Sequence, residues 1–172
     1  MTSTESGGVL GSLRSEGSDG VIRMEARLDA TVDTVWAALT EPRRLAKWYG
    51  DVTGDLRVGG EYKVHVHMSG WEGTGRIEVC EAPHRLVIFG KEPDDPSEQS
   101  DEITLEATGN GTLFVAEQRG IPRDLIAAFA AGAQLHVEDL AKYLAGNDRV
   151  EPGSRFDELH EVYKPQAANL NR

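Results

Sequence analysis

From Glu61 to Met68 the residues alternate in character. Tyr62, Val64, Val66 and Met68 fall on one face, with Lys63, His65 and His67 on the other. Successive side chains of a strand point to opposite faces, so this period of two predicts a half-buried β-strand. Val21 to Leu28 alternates more loosely and predicts an earlier strand. Between these two the period changes. Thr31 stands as an N-cap with Asp33 in the first turn, and Val32, Val35, Trp36 and Leu39 recur at helical spacing. Pro42 ends that helix and opens a shorter one carrying Leu45 and Trp48 on one side.

After the turn at Arg57-Val58-Gly59-Gly60 the chain reads as a series of strands. Trp71 to Glu81 follows the Ser69-Gly70 turn; Gly73 and Gly75 loosen it and suit a bulge or strong bend. Pro83-His84 turns the chain into a strand over Arg85 to Phe89. Residues 92–102, EPDDPSEQSDE, carry six acids, two prolines and no base. They predict an exposed loop leading to a strand from about Ile103 to Ala107. Gly109-Asn110-Gly111 marks a hairpin, and Thr112 to Arg119 is the last strand. Ile121-Pro122 then opens a long helix to about Ala145. Its apolar stripe is Leu125, Phe129, Ala133, Val137, Leu140 and Leu144, and Gly146-Asn147 closes it.

Hairpin-like connections predict antiparallel pairing, since parallel neighbours need crossovers. One face of the sheet must be covered, and the long helix is the one element large enough. The predicted fold is therefore α+β: a curved antiparallel sheet wrapped around a long C-terminal helix, with two short helices after the first strand. A concave sheet and a straight helix do not fit flush, so a cavity is expected between them. Residues 1–19, rich in Gly and Ser, read as a mobile leader and 20–146 as the domain. Residues 147–172 read as a polar tail, in which Phe156, Leu159 and Tyr163 share one side of a short helix. That side would pack back onto the domain or serve a homodimer partner.

Composition narrows the function classes. A chain of 172 residues with 39% apolar content suits one domain with a packed core. A net charge of -11 argues against nucleic acid and against anionic membrane surfaces, because both need clustered Lys and Arg. One cysteine, Cys80, excludes an intrachain disulfide, and its strand-like surroundings predict a small buried apolar residue. Without an apolar signal segment or membrane span, the protein is expected in the cytoplasm.

Catalytic and cofactor motifs are missing. No P-loop, dinucleotide-binding glycine pattern, nucleophile elbow or His/Cys ligand spacing is present, so no cofactor and no metal are expected. His65 and His67 share a strand face, but two histidines fall short of a closed four-ligand site. His136 lies beside the stripe of the long helix. On the last strand, Phe114, Ala116 and Gln118 share one face and Glu117 and Arg119 the other; the sequence leaves open which points inward.

VDTVWAALTEPRRLAKWYG resembles the opening of the START-like (SRPBCC) superfamily, in particular the Aha-type branch related to the activator of the heat-shock-protein-90 ATPase. The matching pieces are Val35-Trp36, Leu39-Thr40, Pro42, Leu45 and Trp48; Val58-Gly59-Gly60-Glu61-Tyr62; Gly75 to Leu86; Gly111-Thr112; and the terminal helix from Gly132 to Gly146. The resemblance spans about residues 20–146. It implies a helix-grip fold with a pocket under the C-terminal helix, in a superfamily of lipid and hormone binders, polyketide cyclases and a co-chaperone. One departure stands out. The family usually carries Trp directly after the glycine of the last helix, where this chain has Ala133. Either Phe129, Trp71 or Trp48 fills the space, or the pocket is larger.

The function expected from residues and resemblance together is to hold an apolar, aromatic or amphipathic small molecule without covalent catalysis. Its wall would comprise Trp48, Tyr49, Tyr62, Val64, Val66, Trp71, Ile77, Gln118, Phe129, Ala133 and Val137. The alternatives are a cyclase- or aromatase-type enzyme, with Tyr62, Gln118 and Glu117 as its candidate polar groups and an inward titratable group as its requirement, and a co-chaperone-like protein-binding module.

Overall fold

The structure, a computed structural model, describes residues 8–95, 97–147 and 153–170. Eight strands form one antiparallel sheet: β1 (Gly11–Glu16), β2 (Asp19–Leu28), β3 (Gly50–Gly54), β4 (Glu61–Val66), β5 (Glu72–Glu81), β6 (Arg85–Lys91), β7 (Gln99–Thr108) and β8 (Gly111–Pro122). Their order across the sheet is β1-β2-β8-β7-β6-β5-β4-β3, so β2 joins the beginning of the chain to its last strand. Helices α1 (Val32–Thr40) and α2 (Pro42–Trp48) follow β2. Helix α3 (Ile126–Leu144) packs against the sheet, and α4 (Gly153–Asn169) lies on α3.

Local chemistry explains the predicted elements. Thr31 Oγ1 accepts the Thr34 N–H at 3.3 Å, capping α1. Pro42 starts α2, where no N–H is required. The pleat sorts the sheet into rows, and Ile22, Gln118, Asp101, Ile88 and Ile77 stand side by side on β2, β8, β7, β6 and β5. Phe114, Ala116 and Gln118 therefore face inward. Glu117 faces outward, where Arg14, Arg23 and Arg119 surround it at 3.2, 3.0 and 2.8 Å.

Several expectations need correction. Part of the presumed leader is β1, which pairs with β2 from Gly11↔Met24 to Glu16↔Asp19. Backbone hydrogen bonds hold this strand where its composition gives little apolar grip. The Gly11 N–H donates to Tyr163 Oη at 2.9 Å and the Leu13 N–H to Gln166 Oε1 at 3.2 Å. Gly11 is required there, since an added Cβ would lie 2.6 Å from Tyr163 Oη. The leader's residues 1–7 and the tail's residues 148–152 and 171–172 lie outside the described residues. Strand β3 was not predicted: it is five residues long, begins and ends in glycine, and owes its place to pairing with β4.

The acidic run is not all loop, because β7 begins at Gln99. Nor does Ile121-Pro122 open the long helix. The ladder with β2 extends β8 to Pro122, a 3₁₀ turn spans Arg123–Leu125, and Leu125 is 48% exposed instead of joining the stripe. The register shift of β5 falls between Ile77 and Val79 rather than at its glycines. It turns Cys80 to the inner face at the strand end, where the thiol is exposed instead of buried. Gly73 and Gly75 make room for rings instead: a Cβ at Gly75 would sit 2.2 Å from Tyr62 Cζ, and one at Gly73 2.2 Å from the Trp71 ring.

The tail helix runs 17 residues and packs back on the domain. Leu159 joins Ala131 and Leu135 in a buried cluster, with Phe156 against it. Tyr163 is fully buried; its hydroxyl donates to Gln134 Oε1 at 2.5 Å while accepting from Gly11. The side weighed for a homodimer partner is thus occupied within the chain.

Candidate functional site

Beneath α3, the concave face of the sheet encloses a cavity of about 920 Å³. All eleven residues proposed from the sequence lie on its wall. Tyr62, Val64 and Val66 come from β4 by alternation, Ile77 from β5, and Gln118 from β8. Phe129, Ala133 and Val137 form one stripe of α3. Trp48 and Tyr49 reach in from the end of α2, and Trp71 from the turn before β5. Trp48 is fixed by its indole N–H, which donates to the Ala38 carbonyl at 3.0 Å. Trp36 was expected in the core; it is half-buried and also borders the cavity.

Small residues explain why the space stays open. Gly90 leaves the floor without a side chain, Gly75 lets the Tyr62 ring lie against it, and Gly132 and Ala133 keep the roof thin. Trp48, Trp71 and Phe129 line the space next to Ala133 without plugging it. At the mouth stand Ser69 and Gly70, with Lys91, Glu92, Asp95 and Ser97 opposite. The Trp71 indole donates to Glu92 Oε1 at 3.2 Å.

The polar groups of the wall converge on the sheet's centre. Asp101 is half-buried, and its remaining surface opens into the cavity. Its side chain makes no hydrogen bond or ion pair among the described residues. Burial therefore favours the uncharged form and raises its pKa to about 6. Gln118 is its direct cross-strand neighbour, and Gln118 Oε1 is buried with no hydrogen-bond partner among the described residues. Buried polar groups without partners are costly, and such sites are often functional. Burial also pushes the phenols of Tyr49 and Tyr62 up, and the Asp101 carboxylate adds to both shifts. Tyr49 meets the His136 ring edge-on at 4.9 Å between centroids. The arrangement can hold an apolar body, and it offers one hydrogen-bonding pole.

Asp101 is the residue that sequence reading missed. Six acids in eleven residues look like a solvated loop. Carrying the alternation of Ile103 and Leu105 two residues back would have put Asp101 on the inner face. Glu117, suspected as an inward acid, faces outward in its arginine cage and is held below the usual carboxylate range, first by Arg14.

On the opposite face of the sheet, Asp51 joins His65 and His67, with one ligand atom from each within 4.8 Å of the others. The two histidines alone were discounted, and register pairing supplies the third group through Asp51↔His65. His67 Nε2 lies 3.0 Å from the Ala46 carbonyl, and Asp51 and His65 are exposed. The group lies outside the cavity.

Comparison with known proteins agrees with this architecture. The family model for "Activator of Hsp90 ATPase homolog 1-like protein" matches residues 29–145. No curated protein matches the chain significantly. Among solved structures, the crystal structure of CalU16 from Micromonospora echinospora shares 26% identity over 92% of this chain and 96% of its own, with a TM-score of 0.75. DynU16, a protein in the dynemicin biosynthetic locus, shares 26% identity over 75% of this chain and 48% of its own, with a TM-score of 0.68. EF2215 of Enterococcus faecalis, a conserved protein of unknown function, shares 18% identity over 94% of this chain and 92% of its own; its TM-score of 0.72 speaks for the fold alone.

Proposed function

Since this chain belongs to the Activator of Hsp90 ATPase homolog 1-like family, with its START-like helix-grip fold, we propose that it binds an apolar or amphipathic small molecule in the cavity under α3. One observation carries the reading: about 920 Å³ of space walled mainly by aliphatic and aromatic side chains. That volume falls within the usual range of ligand sites, roughly 300–1,000 Å³. Apolar burial supplies the driving force, about 25 cal/mol per Å² before ordering costs. The single unpaired cysteine suits a reducing compartment, and we place the protein in the cytoplasm. No helix among the described residues is long and apolar enough to cross a membrane.

The test is native mass spectrometry of the purified protein, followed by thermal-shift screening against lipids, aromatics and polyketide-like compounds. A compound that binds only the folded state raises its melting temperature. Ala133→Trp restores the indole usual in the family and should abolish every such shift. Hits that survive it, or no hits at all, would contradict the reading.

A second reading, a cyclase- or aromatase-type enzyme, is favoured by Asp101, an inward acid whose pKa of about 6 suits proton transfer near neutrality. The locus of DynU16 is compatible with it. It requires chemical conversion of a bound polyketide-like chain, followed by mass spectrometry and lost in Asp101→Asn.

A further inference from the structure

Inside the mouth, Asp101 sits among apolar neighbours. In the row Ile22–Gln118–Asp101–Ile88–Ile77, four partners are isoleucines or an amide, and none is a cation. No arginine lines the cavity among the described residues, and its lysine, Lys91, stands exposed at the mouth. Gln118 Oε1, beside Asp101, is a second acceptor without a donor. Next to this pair stand the rings of Tyr49 and Tyr62, whose phenols also lack hydrogen bonds among the described residues. A carboxylate and an amide oxygen that no group of the described residues satisfies, with no arginine or lysine beside them, match a compact cation carrying N–H groups, and the free phenols can accept from it as well. The approach is acidic as well: Glu92 and Asp95 flank the mouth, and the net charge of -11 draws cations toward it.

We propose that the ligand is a cationic amphiphile, an apolar or aromatic body bearing a protonated amine, and that the ammonium group docks on the Asp101 carboxylate beside Gln118 and the Tyr49 and Tyr62 rings. This rests on the reading of the cavity as a small-molecule site and adds the ligand's charge. An uncharged head would leave the carboxylate buried and unpaired. A carboxylate head would add a second negative charge. An ammonium group pairs the buried charge, and the apolar body fills the remaining space. No bond is made or broken.

Three probes with one ring system separate these cases: 1-pyrenemethylamine, 1-pyrenemethanol and 1-pyrenecarboxylate, titrated by fluorescence at pH 7.5 in 0.15 M salt. The amine should bind at least tenfold more tightly than the alcohol, and the carboxylate most weakly. Asp101→Asn should remove the amine's advantage and leave the alcohol's affinity within about twofold. Ala133→Trp should block all three probes, which separates the cavity from the acidic surface.

Lowering the pH from 7.5 to 5 should weaken the amine by about tenfold as Asp101 takes up a proton, and Asp101→Asn should lack this response. Other titratable groups face the same space: Tyr62 from β4, Cys80 from β5, Tyr49 after α2, His136 from α3, and Lys91, Glu92 and Asp95 at the mouth. The variant isolates Asp101 from them. Equal affinities, or a preference for the carboxylate, would overturn the amine assignment while sparing the cavity reading. Amine binding that survives Ala133→Trp belongs to the surface, and an amine advantage that survives Asp101→Asn does not come from that carboxylate; either would also overturn it. If no pyrene binds, both readings fall. Should Asp101→Asn not fold, the wild-type ranking together with Ala133→Trp decides.

Discussion

Two buried polar groupings of this protein are treated in opposite ways. At the β1-β2 side of α3, Gln134 is fully buried, and its amide is saturated. Its Oε1 accepts from the Leu10 N–H at 3.1 Å and the Tyr163 hydroxyl at 2.5 Å, and its Nε2 donates to the Gly8 carbonyl at 2.6 Å. On the sheet beneath α3, the Asp101 and Gln118 side chains make no hydrogen bond among the described residues. Ile121, Ile126 and Ala130 lie in the packed core away from the cavity, each 0% exposed, whereas glycine and Ala133 border the second grouping. Close packing with satisfied polar atoms describes a structural core. Open space with unpaired acceptors is what the proposed ligand site requires.

The largest effect should come from breaking the satisfied end. Gln134→Leu strands the Leu10 N–H and the Tyr163 hydroxyl, and each stranded buried group costs about 1–3 kcal/mol. A total loss of about 3 kcal/mol in urea unfolding is expected. A loss below about 1 kcal/mol would mean that the network is dispensable.

At the unsatisfied end the sign reverses. The folded-state pKa of Asp101 is raised to about 6 from an ordinary 3.8, so the folded protein holds this proton more tightly than the unfolded chain. Wild-type stability is therefore lost as pH rises from about 4 through 6. Asp101→Asn should be more stable than wild type by on the order of 2–3 kcal/mol at pH 7.5, and the gain should shrink toward zero at pH 4. A destabilised variant at pH 7.5 would show that the carboxylate has a partner.

A smaller contrast compares two alanines of α3. Ala131 is fully buried against α4, and Ala131→Leu should cost about 2 kcal/mol by overpacking. Ala133→Trp enters open space and should change stability by less than about 1 kcal/mol. Equal costs, read by thermal unfolding, would erase the distinction between packed and hollow halves. Least of all should Arg14→Ala matter: its ion pair with Glu117 is exposed on the arginine side, and such pairs contribute about 0–1 kcal/mol.

The same division explains what could be read from the sequence. Regular alternation revealed β4, and the 3.6-residue spacing revealed α1 and the middle of α3, because in each the apolar face is buried. Trp48, Tyr62, Val64, Val66, Phe129, Ala133 and Val137 could be placed on one wall because each lies on such a face. Strand β1 was hidden because Tyr163 and Gln166, some 150 residues away, hold its backbone, and no local pattern records that partnership. Strand β3 is set by its neighbour's register. Asp101 was obscured by charge: a lone inward acid in an acidic run breaks the rule that polar residues face out, and it breaks that rule inside the cavity.

The central claim is that the space under α3 is open and apolar. Xenon-pressurised crystals test it directly, since dry apolar cavities take up xenon. The account predicts xenon density between Ala133, Gly90 and Ile88, and none near Gln134 and Tyr163. A collapsed space, with Trp48 and Phe129 folded over Gly90 and no xenon bound, would contradict it.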